Sequence, residues 1–380
     1  MMGMILGSSR LRAIALGAAV LMVVSGKAMT QNEPPPPEAG GPQNQQGPIA
    51  LPKLKQPPPP PPQPKRAPEG TSDYSLTVNV PEVTVDALVV TKDGQPITGL
   101  KGGNFRVFED GVPQTLTSFN RTEAPITAVL LLEFAARNYY FMNDMFNGAY
   151  SFAQSLRPQD WVAVVSYDMK PHIITDFTQD KREVMGAIRS LMIPGFSETN
   201  EYDALIDTLD RVDRIPGRKY IILISSGLDT FSKHTFDETM KKVKATPDVT
   251  IFTVATGRAF LEWMDAHYGS NFGVRMSEMD FLQGENQLRT FAQLTGGQYY
   301  FPRFEAEMPE IFRAISASIR NQYVLTYHST NPKQDGTYRK IKVEVVGPDG
   351  QPLKVTNEKG KPVKYEVVAR EGYTAKRQVE

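Results

Sequence analysis

The stretch ITAVLLLEFAARN, Ile126 to Asn138, decides how the chain is read. It is continuously apolar for most of its length, stops at the carboxylate Glu133, and goes on with Phe134, Ala135, Ala136 and Arg137. A short apolar run without alternation reads as a strand covered on both faces. Three further runs have the same character: DWVAVVSYD (Asp160 to Asp168), KYIILISSG (Lys219 to Gly227) and DVTIFTVATG (Asp248 to Gly257). Amphipathic segments separate them, namely NDMFNGAYSFAQSL, KREVMGAIRSL, EYDALIDTLDRV and FDETMKKVKA, and MPEIFRAISASIR closes the series. Strands alternating with helices predict an α/β fold with a doubly wound, mostly parallel sheet. HIITDF, just past the second strand, is expected to pair antiparallel at one edge.

On either side of this region the period changes to two. YSLTVNVPEVTVDALVVTKDGQPITGL and NFRVFEDGVPQTLTSFN alternate apolar and polar residues around Asp-Gly turns, as do QYVLTYHST, TYRKIKVEVV, QPLKVTN and VKYEVVAR after Asn321. About three strands before and four after are expected, and neither set closes a core by itself. The economical arrangement is one antiparallel β-sandwich with the α/β domain inserted as a long crossover. Two separate β-modules are the alternative.

The amino-terminal residues read as an address. Arg10 and Arg12 precede the apolar run Ala13 to Val24, and small residues follow at Gly26 and Ala28, the pattern of a secretory signal peptide. Twelve apolar residues fall short of the ~20 that span a bilayer, so cleavage is expected over retention as an anchor. No cysteine follows to take a lipid, and the mature protein is expected in the periplasm or outside the cell. Asn32 to Gly70 is rich in proline, including Pro57 to Pro62, and suits an extended spacer. The boundaries expected are therefore 1–28 signal peptide, 29–72 proline-rich linker, 73–122 first β strands, 123–321 α/β domain and 322–380 last β strands.

Composition excludes several functions. Lys plus Arg and Asp plus Glu number 42 each, so no net field attracts nucleic acid. The absence of cysteine excludes disulfides, a thiol nucleophile and thiolate metal sites. His172, His234, His267 and His328 show no ligand spacing. No G-x-S-x-G, H-E-x-x-H or G-x-x-x-x-G-K-[ST] motif is present, and the chain is not expected to be an enzyme. Arg258 to Asn286, with Phe260, Trp263, Tyr268 and Phe272, reads as a long aromatic loop suited either to binding or to packing beneath itself.

In an open parallel sheet, ligands bind beyond the carboxyl ends of the strands. The segments that lie there are Glu133 to Arg137, Gly195 to Asp203 and Ser225 to Thr230. The order of apolar strand, helix, GFSETNEYDALIDTL and IILISSGLD resembles the von Willebrand factor A domain. The flanking VTVDALVVTKDGQPITGL, NFRVFEDGVPQTLTSF, QYVLTYHSTNPKQDGTYRKIKVEV and VVAREGY resemble the bacterial VWFA-related proteins, abundant in acidobacteria, over Val83 to Tyr373. That resemblance implies a metal-ion-dependent adhesion site built from Asp-x-Ser-x-Ser, a threonine and a later aspartate. In this chain Glu133 stands at the first Asp, Ala135 and Arg137 at the two serines, Thr199 at the threonine and Ser226 at the last aspartate.

With one ligand kept and a guanidinium at another, no metal or other cofactor is expected, because Mg²⁺ requires near-octahedral oxygens and is repelled by a cation. Arg137 is then either a built-in cation paired with Glu133 or Asp229, or a solvent-facing side chain. Asp203 is expected to serve the helix start. The resulting expectation is a secreted, metal-independent module that binds a protein partner through Glu133, Ala135, Arg137, Thr199, Ser226 and Asp229. A metal-dependent adhesin with an atypical Mg²⁺ site at Glu133, Thr199, Ser226 and Asp229 is the alternative, and an unrecognised hydrolase a further one.

Overall fold

The computed structural model describes residues 82–92, 94–121, 124–136, 142–257, 278–303, 305–356 and 359–377, all within one unit of the chain, Gly40–Glu380. The expected signal peptide and proline-rich linker, Arg137, and the aromatic residues Phe260, Trp263, Tyr268 and Phe272 lie outside the described residues.

Four strands come first: β1 (Glu82–Thr91), β2 (Phe105–Glu109), β3 (Val112–Gln114) and β4 (Leu116–Arg121). The α/β region follows with β5 (Thr127–Glu133), α1 (Met142–Ser155), β6 (Trp161–Tyr167), β7 (Pro171–Thr178), α2 (Lys181–Ser190), α3 (Glu201–Val212) and β8 (Lys219–Ser225). It continues through α4 (Phe236–Ala245), β9 (Val249–Ala255), α5 (Glu278–Thr295), β10 (Tyr299–Tyr300) and α6 (Met308–Arg320). The chain then forms β11 (Tyr323–His328), β12 (Tyr338–Val345), β13 (Val355–Thr356), β14 (Pro362–Val363), β15 (Tyr365–Ala369) and β16 (Gly372–Thr374).

Why the apolar runs become strands is visible along β5. Ala128, Leu130 and Leu132 enter one core with Met145, Phe152, Val184, Ile188, Phe312 and Ile315 of α1, α2 and α6. Val129 and Leu131 enter another with Leu205, Leu209, Val243, Leu288 and Phe291 of α3, α4 and α5. Successive side chains point to opposite faces, and both faces are covered by helices, so neither parity has room for a polar residue. The sheet order is β10-β9-β8-β5-β6-β7, parallel except for the β6–β7 pair at the edge, the place expected for HIITDF. From β5 the chain builds outward to β6 and β7, then crosses back to β8. The reversal of strand order thus falls between β5 and β8, the position at which open α/β sheets place their ligand crevice.

Two four-stranded antiparallel sheets, in the orders β15-β1-β11-β4 and β16-β12-β2-β3, and a two-stranded one, β13-β14, complete the described structure. Each four-stranded sheet mixes strands from before and after the α/β region: Val85 faces Leu325, Val89 faces Val367 and Val107 faces Val343. Val85, Val89, Phe105, Val107, Tyr323, Leu325 and Ile341, drawn from both sheets, share one buried cluster. Within the same region the buried carboxylate of Glu109 accepts hydrogen bonds from Ser329 Oγ at 2.6 Å, Tyr327 Oη at 2.9 Å and Arg339 Nη1 at 3.2 Å.

Three details differ from the expectation: four strands precede the α/β region and six follow it, where about three and four were expected. QPLKVTN supplies an isolated bridge between Pro352 and Val346 and then the two-residue β13 in place of one continuous strand. The stretch expected as a loop to Asn286 ends instead as the first turns of α5, which starts at Glu278. Gly284 disguises it: an interior glycine costs about 1 kcal/mol relative to alanine in a helix and reads as a breaker. Here the missing Cβ has a purpose, since one built on Gly284 would stand 2.4 Å from the Gly227 carbonyl oxygen.

Candidate functional site

The crevice between β5 and β8 is floored by carboxylates and hydroxyls. Glu133, the last residue of β5, is 1% exposed. Its Oε2 accepts from Ser226 N at 2.5 Å and Ser225 Oγ at 3.0 Å, and its Oε1 from Ser226 Oγ at 3.1 Å. A second buried acid, Glu201 in the first turn of α3, meets the other side of Ser225 Oγ through its Oε2. Gly227 N donates to the same hydroxyl at 2.9 Å.

Ser225 has one proton and two carboxylates to serve. A proton on Glu201 resolves the shortage: Glu201 donates to Ser225 Oγ, Ser225 donates to Glu133, and the serine oxygen still accepts from Gly227. The electrostatics agree. Burial pushes the Glu201 carboxyl up to about 8; the Ser225 hydrogen bond opposes that shift, while the charges of Glu133 and Asp229 add to it. Tyr167, at the end of β6, lies beside Glu201 outside hydrogen-bonding geometry. Burial and then the Glu201 and Glu133 charges drive its phenol well above the ordinary range.

Of the six residues expected from the sequence, Glu133 and Ser226 are in direct contact, and Ala135 is buried next to them. Thr199 is fully buried, its Oγ donating to the Leu228 carbonyl oxygen, while its own carbonyl accepts from Thr230 N and Phe231 N. Asp229 turns away from Glu133. It accepts from Tyr202 N at 3.0 Å, Ser232 N at 3.1 Å and Ser232 Oγ at 2.5 Å, and so supplies from a separate loop the cap that the Asn200 side chain does not give α3. Asp203 takes Lys233 N, His234 N and His234 Nδ1, bracing the loop before α4.

This donor set suits an octahedral dication poorly. Ala135 offers no side-chain oxygen, both Glu133 oxygens already accept from serine donors, and burial favours the protonated form of Glu201. Among the described residues no group of three or more His, Asp or Glu is arranged as a metal site. Glu201 and Ser225 fall in the segments expected beyond the strand ends but are not picked out there as individual residues, and Tyr167 lies in none of those segments. An acidic residue in a first helical turn is common because it complements the helix dipole, so nothing in NEYDAL marks Glu201 as buried.

Six large apolar side chains are exposed on the segments that adjoin this site. Met192 (74% exposed), Ile193 (70%) and Phe196 lie on the loop between α2 and α3, Phe231 follows β8, and Met279 (72%) and Leu282 start α5. Backbone bonds tie these segments to the floor: Ala136 N donates to the Phe196 carbonyl at 2.7 Å, and Phe231 N to that of Thr199 at 2.9 Å.

No protein-family profile matches the chain, and no curated protein matches it. Solved structures similar to it include the vWF domain of the type V pili tip protein Mfa5 from Porphyromonas gingivalis, at 13% identity and a TM-score of 0.39, over 51% of this chain and 95% of that one. A von Willebrand factor type A protein from Catenulispora acidiphila is similar at 11% identity and a TM-score of 0.41, over 71% and 74% of the two chains. BatB from Bacteroides thetaiotaomicron is similar at 14% identity and a TM-score of 0.37, over 50% and 97%. At these scores the fold of this chain stands on its own sheet order and core.

Proposed function

We propose that the chain is an envelope or secreted protein-binding module of the von Willebrand A type that engages its partner at the β5–β8 crevice without a divalent metal. The observation that supports this most is the set of six exposed large apolar side chains, four on loops and two in the first turns of α5, beside a floor already closed by its own hydrogen bonds. Exposed apolar groups gathered on one face mark interaction surfaces. Binding is favoured over catalysis because Ser225 and Ser226, the hydroxyls nearest the acids, are 0% and 2% exposed, out of reach of a substrate. The two four-stranded antiparallel sheets, with their shared core, would form the sandwich that carries this face, and the amino-terminal signal and proline-rich spacer would deliver and extend it. The proposal is tested by capturing proteins from the cell-envelope fraction on the immobilised chain. A protein retained by the wild type and lost with Phe231→Ser and Phe196→Ser together is expected. No protein retained above blank resin, or equal retention by the double variant, contradicts it.

A further inference from the structure

Where the chain enters the parallel strands, at the end of the sheet opposite to Glu133, lies a pocket of about 1020 Å³. That is at the upper end of ligand-site volumes. The α/β region lines it with Asp213 after α3, Lys244 in α4 and Asp248 before β9, and the antiparallel sheets line it with Thr84 of β1, Thr374 of β16 and Arg370 after β15. Thr374 Oγ1 donates to the Lys244 carbonyl at 3.1 Å and ties the two linings together.

Arg370 is 8% exposed. Its Nε donates to the Gly372 carbonyl at 2.9 Å, and among the described residues neither Nη atom has an acceptor and no carboxylate forms an ion pair with it. Asp86, one of the acids whose charge reaches it, is already paired with Arg218 at 2.9 Å. Burial holds the guanidinium below the ordinary arginine range, against the opposing charge of Asp248. A cation taken from water in this way is costly, and a bound carboxylate would offset that cost through two parallel hydrogen bonds.

Lys244, Lys333 and Lys376 add positive charge to the lining, while Glu82, Asp213 and Asp248 add negative. Among the described residues none of these six forms an ion pair. The three acids disfavour a phosphate or sulfate, with its charge spread over every oxygen, but they accept N–H donors. A short peptide offers both parts: one carboxylate for Arg370, and amide and ammonium groups for the acids.

We propose that this pocket binds the terminal carboxylate of a short peptide, seated on Arg370, with the peptide's N–H donors turned to Asp248 and Asp213. The site is separate from the apolar face and stands or falls independently of it.

Calorimetric titration of the full chain with Ala-Ala-Ala, with its carboxy-terminal amide and with inorganic phosphate tests this. The free tripeptide is expected to bind about tenfold more tightly than the amide, and phosphate more weakly than the tripeptide. Arg370→Gln, checked for folding by circular dichroism, should bring the tripeptide down to the level of the amide. Arg370 is buried, so a second variant guards against misfolding: Lys333→Gln with Lys376→Gln, both exposed, should weaken the tripeptide about threefold at low salt and leave the amide unchanged. Equal binding of tripeptide and amide, or an acid preference unchanged in folded Arg370→Gln or in the lysine double variant, overturns the site. Phosphate bound as tightly as the tripeptide overturns the peptide as its ligand, and binding by none of the three probes overturns the proposal outright.

Discussion

At the scale of the residue, the feature that organises the crevice is a carboxyl group that must keep its proton. Glu201 is raised from 4.5 to about 8, chiefly by burial. Between those two values the folded chain holds a proton that the unfolded chain has released. Its contribution is therefore complete below the unfolded value, declines as pH rises toward the folded value, and is flat above it. Glu201→Gln keeps a hydrogen-bonding group and cannot ionise. Urea midpoints of the wild type are expected to fall between about pH 5 and about pH 9, and those of the variant to fall less. The difference is bounded above by about 1.4 kcal/mol for every tenfold by which folding tightens the hold on that proton. A wild-type slope left unchanged by the substitution contradicts the assignment. Glu133 and Ser226 could be placed from the sequence because they end apolar runs whose strand character is unambiguous. Glu201 could not, since burial of a first-turn acid depends on two strands distant in sequence closing over it.

At the scale of the element, the instructive case is α5. Its first turns carry Met279 and Leu282 outward and Gly284 inward against Gly227, which itself has φ +79° and so occupies the left-handed region that suits glycine. Helix propensity argues for alanine at position 284, and tertiary contact argues against it. The contact is expected to win: Gly284→Ala should destabilise the protein by about 1–3 kcal/mol, as overpacking does, with lower Tm by thermal unfolding. An unchanged or higher Tm would show that the helix and loop are not held as described. The same conflict explains why the sequence reads as loop there. The amphipathic stripe of α5 is interrupted by a residue chosen for what faces it, whereas α2, α3 and α4 carry continuous stripes and local signals such as the Thr235–Glu238 capping box.

At the scale of the whole molecule, the mostly parallel sheet and its antiparallel edge were legible because apolar runs alternate with amphipathic segments, while the order of the strands was not. The sharing of strands between the segments before and after the α/β region was legible for another reason: three or four short strands cannot bury their own apolar face. What could not be read was the polar centre of those sheets, where Glu109 meets Ser329, Tyr327 and Arg339, contributed from more than two hundred residues away. Function is most exposed to test at the crevice, where the residues resemble an adhesion site yet Glu133 is satisfied by serine donors. The most direct measurement is calorimetric titration of MgCl₂ and of MnCl₂ into the full chain. The account predicts no saturable heat for either ion; a one-site isotherm abolished by Glu133→Gln would contradict it.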